Sequence, residues 1–130
     1  MKKIFTLSLF SLVIILSGYT QTSTIDGAIS ALQAGNAAEL SKYFDANVEL
    51  TLPEKNDSYS KAQAQVILRD FFANNGVRGF EVKHKSENDQ RGAYFIGNLI
   101  SKSGKYRTTV YLRAKADKQL VKEIRFQMIE

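Results

Sequence analysis

Residues 60–85 read SKAQAQVILRDFFANNGVRGFEVKHK, and the spacing of their apolar residues changes at Gly76. Before this glycine the apolar residues recur every three or four positions, which is typical of a helix with one buried face. Ser60, with a glutamine three residues later, forms a capping-box pattern at the start of that helix. In residues 80–85 apolar or aromatic residues alternate with charged ones, as in a half-buried strand. The stretch therefore predicts a helix over residues 61–74, followed directly by a β-strand.

Two further helices are predicted on the N-terminal side. Residues 24–34 carry an apolar stripe between a serine or threonine cap and a closing glycine, and Asn36 begins a second, shorter helix. Residues 48–52 form a brief strand that Pro53 ends, because proline has no N–H to donate to a ladder. Residues 54–59 are polar and are predicted to be a loop. The N-terminal half is thus mostly helical.

On the C-terminal side, residues 78–130 predict four consecutive strands joined by turns. Residues 92–101 are apolar on both faces. A two-residue turn near Ser103 would direct Phe95 toward the core, whereas a three-residue turn would direct it outward, and the pattern leaves both open. Helices first and strands last indicate an α+β fold, with N-terminal helices packed on a curved antiparallel sheet.

The last turn is predicted to contain three residues, 116–118. That length pairs Val110 with Ile124, two apolar residues. The same register places Leu112 opposite Lys122, so the apolar positions of the two strands mostly coincide.

The first residues predict an export signal. Two lysines precede an apolar run over residues 4–16, and small residues follow, as in secretory signals. We therefore expect residues 1–20 to be a signal peptide and residues 21–130 to be a single exported domain, periplasmic or extracellular. An uncleaved N-terminal anchor is the alternative. Tyr19 stands where a bacterial lipoprotein would have its lipidated cysteine, so no lipid anchor, and no stable membrane attachment after cleavage, is expected.

Charge is distributed unevenly. Residues 21–77 contain four basic and seven acidic residues, whereas residues 78–130 contain twelve basic and six acidic ones. A basic sheet could attract anionic partners. Acidic residues are interleaved with the basic ones, however, which favours a solvated face, and no nucleic-acid partner is expected.

The residue types exclude several kinds of chemistry. The chain has no cysteine, which excludes cysteine-ligated zinc and thiol chemistry, and its single histidine argues against a histidine-rich metal site. The nearest acid–base candidates are Asp45, Asp70 and His84. Asp45 is placed to end a helix, Asp70 has a neighbouring arginine, and a lone histidine on an apolar strand face more often belongs to the core or rim. No catalytic residue, metal or cofactor is expected.

The order of the elements resembles the nuclear-transport-factor-2-like (NTF2-like) superfamily, whose fold is also called cystatin-like or SnoaL-like. The predicted helices at residues 25–34 and 62–72 carry the resemblance, together with residues 40–50 (LSKYFDANVEL) and the closing strands. It covers nearly all of residues 24–130 and implies a cone-shaped α+β fold. Members of the superfamily bind ligands or peptides, catalyse isomerase or dehydratase reactions, or dimerise through the sheet, so the fold does not assign a function.

Three short motifs resemble one family of exported bacterial domains of unknown function, DUF4783. They are YFIGNL at residues 94–99, GKYR at residues 104–107 and IRF at residues 124–126. This resemblance implies location and architecture but no activity. The catalytic sets of the enzymes in the superfamily do not transfer to residues of this chain.

Aromatic residues in the predicted cone could line a ligand cavity, with a tyrosine hydroxyl orienting the ligand. Because large rings also fill cores well, core packing is the alternative for each of them. His84 is included because it shares a strand face with Phe80 and Val82. The candidate pocket residues are Tyr43, Phe71, His84, Phe95, Tyr106 and Phe126.

The leading functional hypothesis is an exported, non-catalytic domain that binds a small apolar or amphipathic ligand, or a peptide. The alternative is a homodimer or interaction module that works through the outer sheet face, since tyrosines among arginines suit an interface. An isomerase- or dehydratase-like enzyme is the third hypothesis. The candidate interface residues are Tyr94, Ile96, Arg107, Tyr111 and Arg113.

Overall fold

The computed structural model describes residues 23–88 and 92–129. Within these ranges the chain forms three helices and six strands. None of these helices is both long and apolar enough to span a membrane. The predicted signal peptide at residues 1–20 lies outside the described residues.

The first half contains the helices, with one hairpin between the second and the third of them, and the second half contains four consecutive strands. In chain order the elements are α1 (Thr24–Ala34), α2 (Ala37–Ser41), β1 (Phe44–Thr51), β2 (Asn56–Ser60), α3 (Lys61–Asn75), β3 (Val77–Asn88), β4 (Gly92–Ser101), β5 (Gly104–Lys115) and β6 (Lys118–Ile129). The sheet order is β2-β1-β6-β5-β4-β3. The predicted α+β fold is confirmed, and the sheet is curved and open. It is mixed rather than wholly antiparallel, because β1 runs parallel to β6.

The helix ends follow the predicted local chemistry. The side chains of Ser23, Asn36 and Ser60 each accept a hydrogen bond from a backbone N–H in the first turn of a helix. Gly35 and Gly76 close α1 and α3 in the left-handed conformation, with φ of 63° and 65°. These ends hold α3 against β1 and β2, and α1 against β3, on one face of the sheet.

The predicted loop at residues 54–59 is wrong. Residues 56–59 of this segment, together with Ser60, form β2, an edge strand that pairs antiparallel with β1 and places Asp57 opposite Leu50. All of its side chains except Tyr59 are exposed. An edge strand of this kind shows no apolar alternation, so its sequence resembles a polar loop.

The β4–β5 hairpin has a two-residue turn, with Ser101 opposite Gly104. This register directs Phe95 into the core and selects one of the two predicted alternatives. The predicted three-residue turn before β6 is wrong, because Lys115 pairs with Lys118. The extra residue is instead accommodated within β6 as a β-bulge.

That bulge lies at Lys122, between the partners of Tyr111 and Leu112. Val110 still faces Ile124, as predicted, but Leu112 faces Val121 rather than Lys122. The bulge therefore keeps an apolar residue in the core and leaves the lysine exposed.

The interior between the helices and the sheet is filled with side chains. The buried face of α3 consists of Ala64, Leu68 and Phe72. It packs over rings and aliphatic residues of the sheet, and among the largest fully buried side chains are Phe95, Phe126, Leu50, Leu99, Ile124 and Val110. Space for a ligand therefore lies at the margins of this core.

Candidate functional site

The six predicted pocket residues do not line one cavity. Phe95 and Phe126 are fully buried, and Tyr106 is almost so, so their rings pack in the core. Tyr43 lies against α1, where its ring fills the space that a side chain at Gly27 would need. Within the part of the chain that the structure describes, Phe71 and Tyr106 border the same depression.

The prediction that His84 points into the cone is wrong. A β-bulge interrupts the β3–β4 pairing between Val82, which faces Gly97, and His84, which faces Ile96. The extra residue reverses the alternation, so His84 lies exposed on the outer face of the sheet. Its Nε2 is 3.1 Å from the hydroxyl oxygen of Tyr94.

The depression beside Phe71 is named here the mouth cleft. It lies between the C-terminal half of α3 and the turn that joins β1 to β2, and its volume is about 390 Å³. Its apolar surface comes from Leu52, Pro53, Ile67 and Phe71, while exposed polar side chains such as Asn74 stand at its rim.

The floor of the mouth cleft is an aromatic cluster. The Phe71 ring is half-buried, with its centroid 4.9 Å from that of Phe126 and 5.3 Å from that of Tyr106. The Tyr106 hydroxyl donates to the Asn75 side-chain oxygen at 2.8 Å, and the Asn75 amide group donates to the Phe71 carbonyl at 2.8 Å. These two hydrogen bonds tie β5 to the end of α3 and keep the floor in one arrangement.

The sequence patterns do not identify several of the cleft residues. Leu52 and Pro53 are predicted only to lie at the end of a strand, and Asn74 only to end the helix over residues 61–74. Ile67 could have been identified as a cleft residue from the sequence, because it lies at the edge of the apolar stripe of the helix rather than at its centre.

The three acid–base candidates lie in separate places. Asp70 lies on the exposed side of α3 at the mouth cleft, 3.5 Å from Arg69, and His84 is on the outer face. Asp45 is buried at the start of β1, where the Ala46 N–H and Lys115 Nζ donate to it at 2.7 and 3.2 Å. These contacts, the backbone one first, hold the pKa of the Asp45 carboxyl below its ordinary value. Among residues 23–88 and 92–129 no group of three acidic or histidine side chains could hold a metal ion.

A row of aromatic and basic side chains crosses the outer face of the sheet. This outer row consists of His84, Tyr94, Tyr111 and Arg125. The His84 and Tyr94 rings are 5.6 Å apart, the two tyrosine rings are 6.3 Å apart, and the Arg125 guanidinium lies 5.6 Å from the centre of the Tyr111 ring. Arg125 also pairs with Glu123.

The remaining predicted interface residues share the outer face. Ile96 lies opposite Thr109, and the exposed Arg107 lies opposite Asn98. Arg113 lies further along β5, where it borders a polar depression. The structure therefore brings Tyr94 and Tyr111 into direct contact and places Arg113 at the end of this face.

A second apolar depression runs beside the N-terminal half of α3. It is named here the α3 groove, and its volume is about 420 Å³. Ile67 belongs both to this groove and to the mouth cleft. The residues that line the groove are Tyr59, Ala62, Gln63, Val66 and Ile67.

Comparison with known proteins gives the following similarities. The model of the family described as "Domain of unknown function (DUF4783)" matches residues 25–127. A DUF4783 family protein from Bacteroides ovatus is 31% identical, with a TM-score of 0.76, covering 80% of this chain and 94% of that chain. A DUF4783 family protein from Bacteroides uniformis is 30% identical, with a TM-score of 0.77, covering 80% and 95%.

An NTF2-like protein of unknown function from Cytophaga hutchinsonii has a TM-score of 0.59 at 12% identity, covering 85% of this chain and 94% of that chain. At that identity the similarity concerns the fold alone. No curated protein matches this chain.

Proposed function

This chain belongs to the DUF4783 family of domains of unknown function, and we propose that it is an exported, non-catalytic domain that binds a small apolar or amphipathic ligand in the mouth cleft. One observation carries the proposal: a half-buried aromatic ring, Phe71, forms the floor of a depression of about 390 Å³. Ligand sites are typically concave, mostly apolar and roughly 300–1,000 Å³ in volume, with a few polar groups that orient the ligand.

The rigidity of the floor supports binding. Tyr106 donates a hydrogen bond to Asn75, Asn75 donates one to the Phe71 carbonyl, and the Phe71 ring packs against those of Tyr106 and Phe126. A site that is already ordered loses little conformational entropy when a ligand binds, so more of the contact energy contributes to affinity. The separation of Asp45, Asp70 and His84 supports a binding role over an enzymatic one, because general acid–base chemistry needs such groups within reach of one substrate.

Export is proposed from the signal pattern at residues 1–20. Mass spectrometry of the protein recovered from outside the cytoplasm of its own host would measure the mature N-terminus. Cleavage after about residue 20 is the expected result, and a full-length mass in that fraction would contradict the proposal. Native spectra of the same sample would report any small molecule retained by the folded protein.

Binding at the mouth cleft is tested with a cleft-filling variant. Cyclohexylmethanol, a small apolar alcohol, is titrated into isotope-labelled protein, and amide shifts are expected at Leu52 and Phe71. Asn74→Trp places a large ring at the rim of the cleft and should abolish those shifts. Ala73→Trp is the matched control, since Ala73 is equally exposed on α3 but does not line the cleft. Unchanged shifts in Asn74→Trp, or no shifts in the parent protein, would contradict the proposal.

A second candidate function, a homodimer formed through the outer face, is favoured by the outer row. Tyrosine and arginine are enriched at interfaces, and the Tyr94–Tyr111 contact presents two rings side by side. Sedimentation velocity should then show a dimer, and Tyr111→Glu should give folded monomers. Lys61→Glu, which makes a charge change at an exposed position on α3, away from the outer face, is the control. A monomer at high concentration would contradict this candidate.

A further inference from the structure

The long helix carries more apolar surface than the fold uses. Its buried face is Ala64, Leu68 and Phe72. On the adjoining flank Ile67 is half-buried, and Val66 is 46% exposed although its side chain is purely hydrocarbon. A single exposed valine is ordinary, but Val66 is part of a continuous apolar depression, the α3 groove.

The α3 groove and the mouth cleft are adjacent along α3, and together they are named the track. Ile67 lines both depressions. The α3 residues of the track run from Ala62 to Asn75. At about 1.5 Å of rise per residue, thirteen steps correspond to roughly 20 Å of helix. An elongated ligand with its bulky end at Phe71 would therefore extend toward the start of α3.

The chemistry of the groove favours a hydrocarbon chain over a peptide. A peptide bears an N–H or C=O at every residue, and each such group needs a partner when it is removed from water. The polar side chains of the groove are Tyr59 and Gln63. The Gln63 side-chain oxygen already accepts the Ser60 N–H in the capping box of α3. An alkyl chain needs no such partners and gains free energy from burial alone.

The mouth cleft offers different chemistry at the other end of the track. Lys55 stands at its rim with the carboxylates of Glu54 and Asp70, and the Asn74 amide is also exposed there. A head group with a net charge would be attracted by some of these side chains and repelled by the others. Hydroxyl groups can donate to the carboxylates and accept from the lysine and the amide. The head group that fits is therefore polar, rich in hydroxyls and without net charge.

From these observations we infer that the ligand is a single-chain amphiphile, with an alkyl tail in the α3 groove and an uncharged hydroxylated head in the mouth cleft. The inference rests on the proposed binding at that cleft. If the tail lies in the α3 groove, the affinity for an amphiphile should rise with tail length, because each added methylene is removed from water along α3.

Alkyl β-glucosides with hexyl, heptyl and octyl tails are the probes, used below the concentration at which they form micelles. Each fully buried methylene strengthens binding roughly fourfold. Since the groove is open on one side, the dissociation constant measured by calorimetry should fall by about four- to fifteenfold from hexyl to octyl. Amide shifts should spread from Phe71 toward Ala62 as the tail lengthens.

Val66→Asp tests the position of the tail. Its charge would lie in the groove without disturbing the core, since the residue is largely exposed. We expect it to remove the dependence on tail length while cyclohexylmethanol still shifts the Phe71 amide. Val82→Asp on β3 is the matched control, because the same substitution is made at a valine that is 37% exposed and outside the track.

The outcomes separate this inference from the proposed function. Equal affinity for all three glucosides, or an unchanged tail-length dependence in Val66→Asp, would overturn the amphiphile and leave cleft binding intact if cyclohexylmethanol still binds. Tighter binding of the apolar peptide acetyl-AVLVA-amide than of octyl glucoside would also overturn it. Absence of every shift, with cyclohexylmethanol included, would overturn both.

Discussion

Replacing Gly97 by alanine should strongly destabilise the protein, although the change adds one methyl group. Gly97 lies in the middle of β4, on the core side, opposite Val82 of β3. A Cβ atom at this position would lie well within 3.0 Å of the Glu81 carbonyl oxygen and of the tip of the Phe80 ring, a distance that real Cβ atoms essentially never show. Glycine is therefore needed here because a neighbouring backbone and ring approach closely.

The loss of stability in Gly97→Ala depends on whether the Phe80 ring and the Glu81 carbonyl oxygen can move away from the added Cβ atom. The Phe80 ring is 5% exposed and packs edge-on against Phe95, with centroids 6.0 Å apart, so moving it exposes core surface. The Glu81 oxygen belongs to the backbone of an adjacent strand and moves only with the β3–β4 pairing. Overpacking of a core typically costs about 1–3 kcal/mol, and the backbone contact places Gly97→Ala near the upper end, at about 2–3 kcal/mol.

The measurement is urea unfolding followed by circular dichroism, with thermal unfolding as a second probe. For a domain of this size, the expected loss corresponds to a fall in Tm of roughly 8–15 °C. Gly79→Ala is the matched control, because Gly79 lies in the neighbouring strand, has ordinary φ and has no atom within 4 Å of the added Cβ. Alanine at position 79 lowers the conformational entropy of the unfolded chain, so Gly79→Ala should stabilise the protein by about 0.4–1 kcal/mol.

A double-mutant cycle identifies the contact responsible. Phe80→Leu removes the tip of the ring, so Gly97→Ala should be less harmful in that background than in the parent, and the shortfall measures the contribution of the ring. The loss of unfolding free energy that remains in the Phe80→Leu background is assigned to the contact with the Glu81 carbonyl oxygen. If Gly97→Ala unfolds at the parental urea concentration, or if Gly79→Ala is equally destabilised, the close-approach explanation is wrong.

Three further changes test other contacts. Ser60→Ala removes the α3 cap and should lower the free energy of unfolding by about 1 kcal/mol in urea; an unchanged midpoint would show that the cap contributes nothing. Asp45→Asn should destabilise the protein at pH 7. Because folding lowers the Asp45 pKa, mainly through a backbone N–H and then Lys115, that stabilisation is present above about pH 4 and disappears as pH falls through the folded pKa. The difference between variant and parent should therefore shrink between pH 5 and pH 2.5 in urea titrations, and a constant difference would contradict this assignment. His84→Ala should change stability by less than about 0.5 kcal/mol, because the ring is exposed and its hydrogen bond to Tyr94 is accessible to water; a larger loss in thermal unfolding would show that the outer row supports the fold.

Much of the architecture is predictable from local patterns. The caps at Ser23, Asn36 and Ser60, the apolar stripe of α3 and the alternation in the C-terminal strands each depend on residues within one or two turns of one another. Together they identify the α+β fold and its family resemblance. The exposed edge strand β2 escaped prediction because its side chains have no buried face to show a period.

The candidate site was much less predictable. All four rings, those of Phe71, Phe95, Tyr106 and Phe126, are predicted only as aromatic residues of a cone. Nothing in the pattern separates the half-buried Phe71 from the other three, which are core residues. That division depends on where each ring lies between α3 and the sheet. The groove beside Val66 likewise exists because β2 ends the sheet there, and no local pattern reports where a sheet ends.

The sequence alone determined which segments are helical, where the helices begin, and that four strands follow the last helix, because caps and periodicity act between near neighbours. Only the tertiary structure decided the parallel β1–β6 pairing and the bulges. Those bulges placed His84 outside and Val121 inside. The physical reason is that one inserted residue reverses every following side chain, and the position of that insertion is chosen by which apolar residues of the partner strand must be buried.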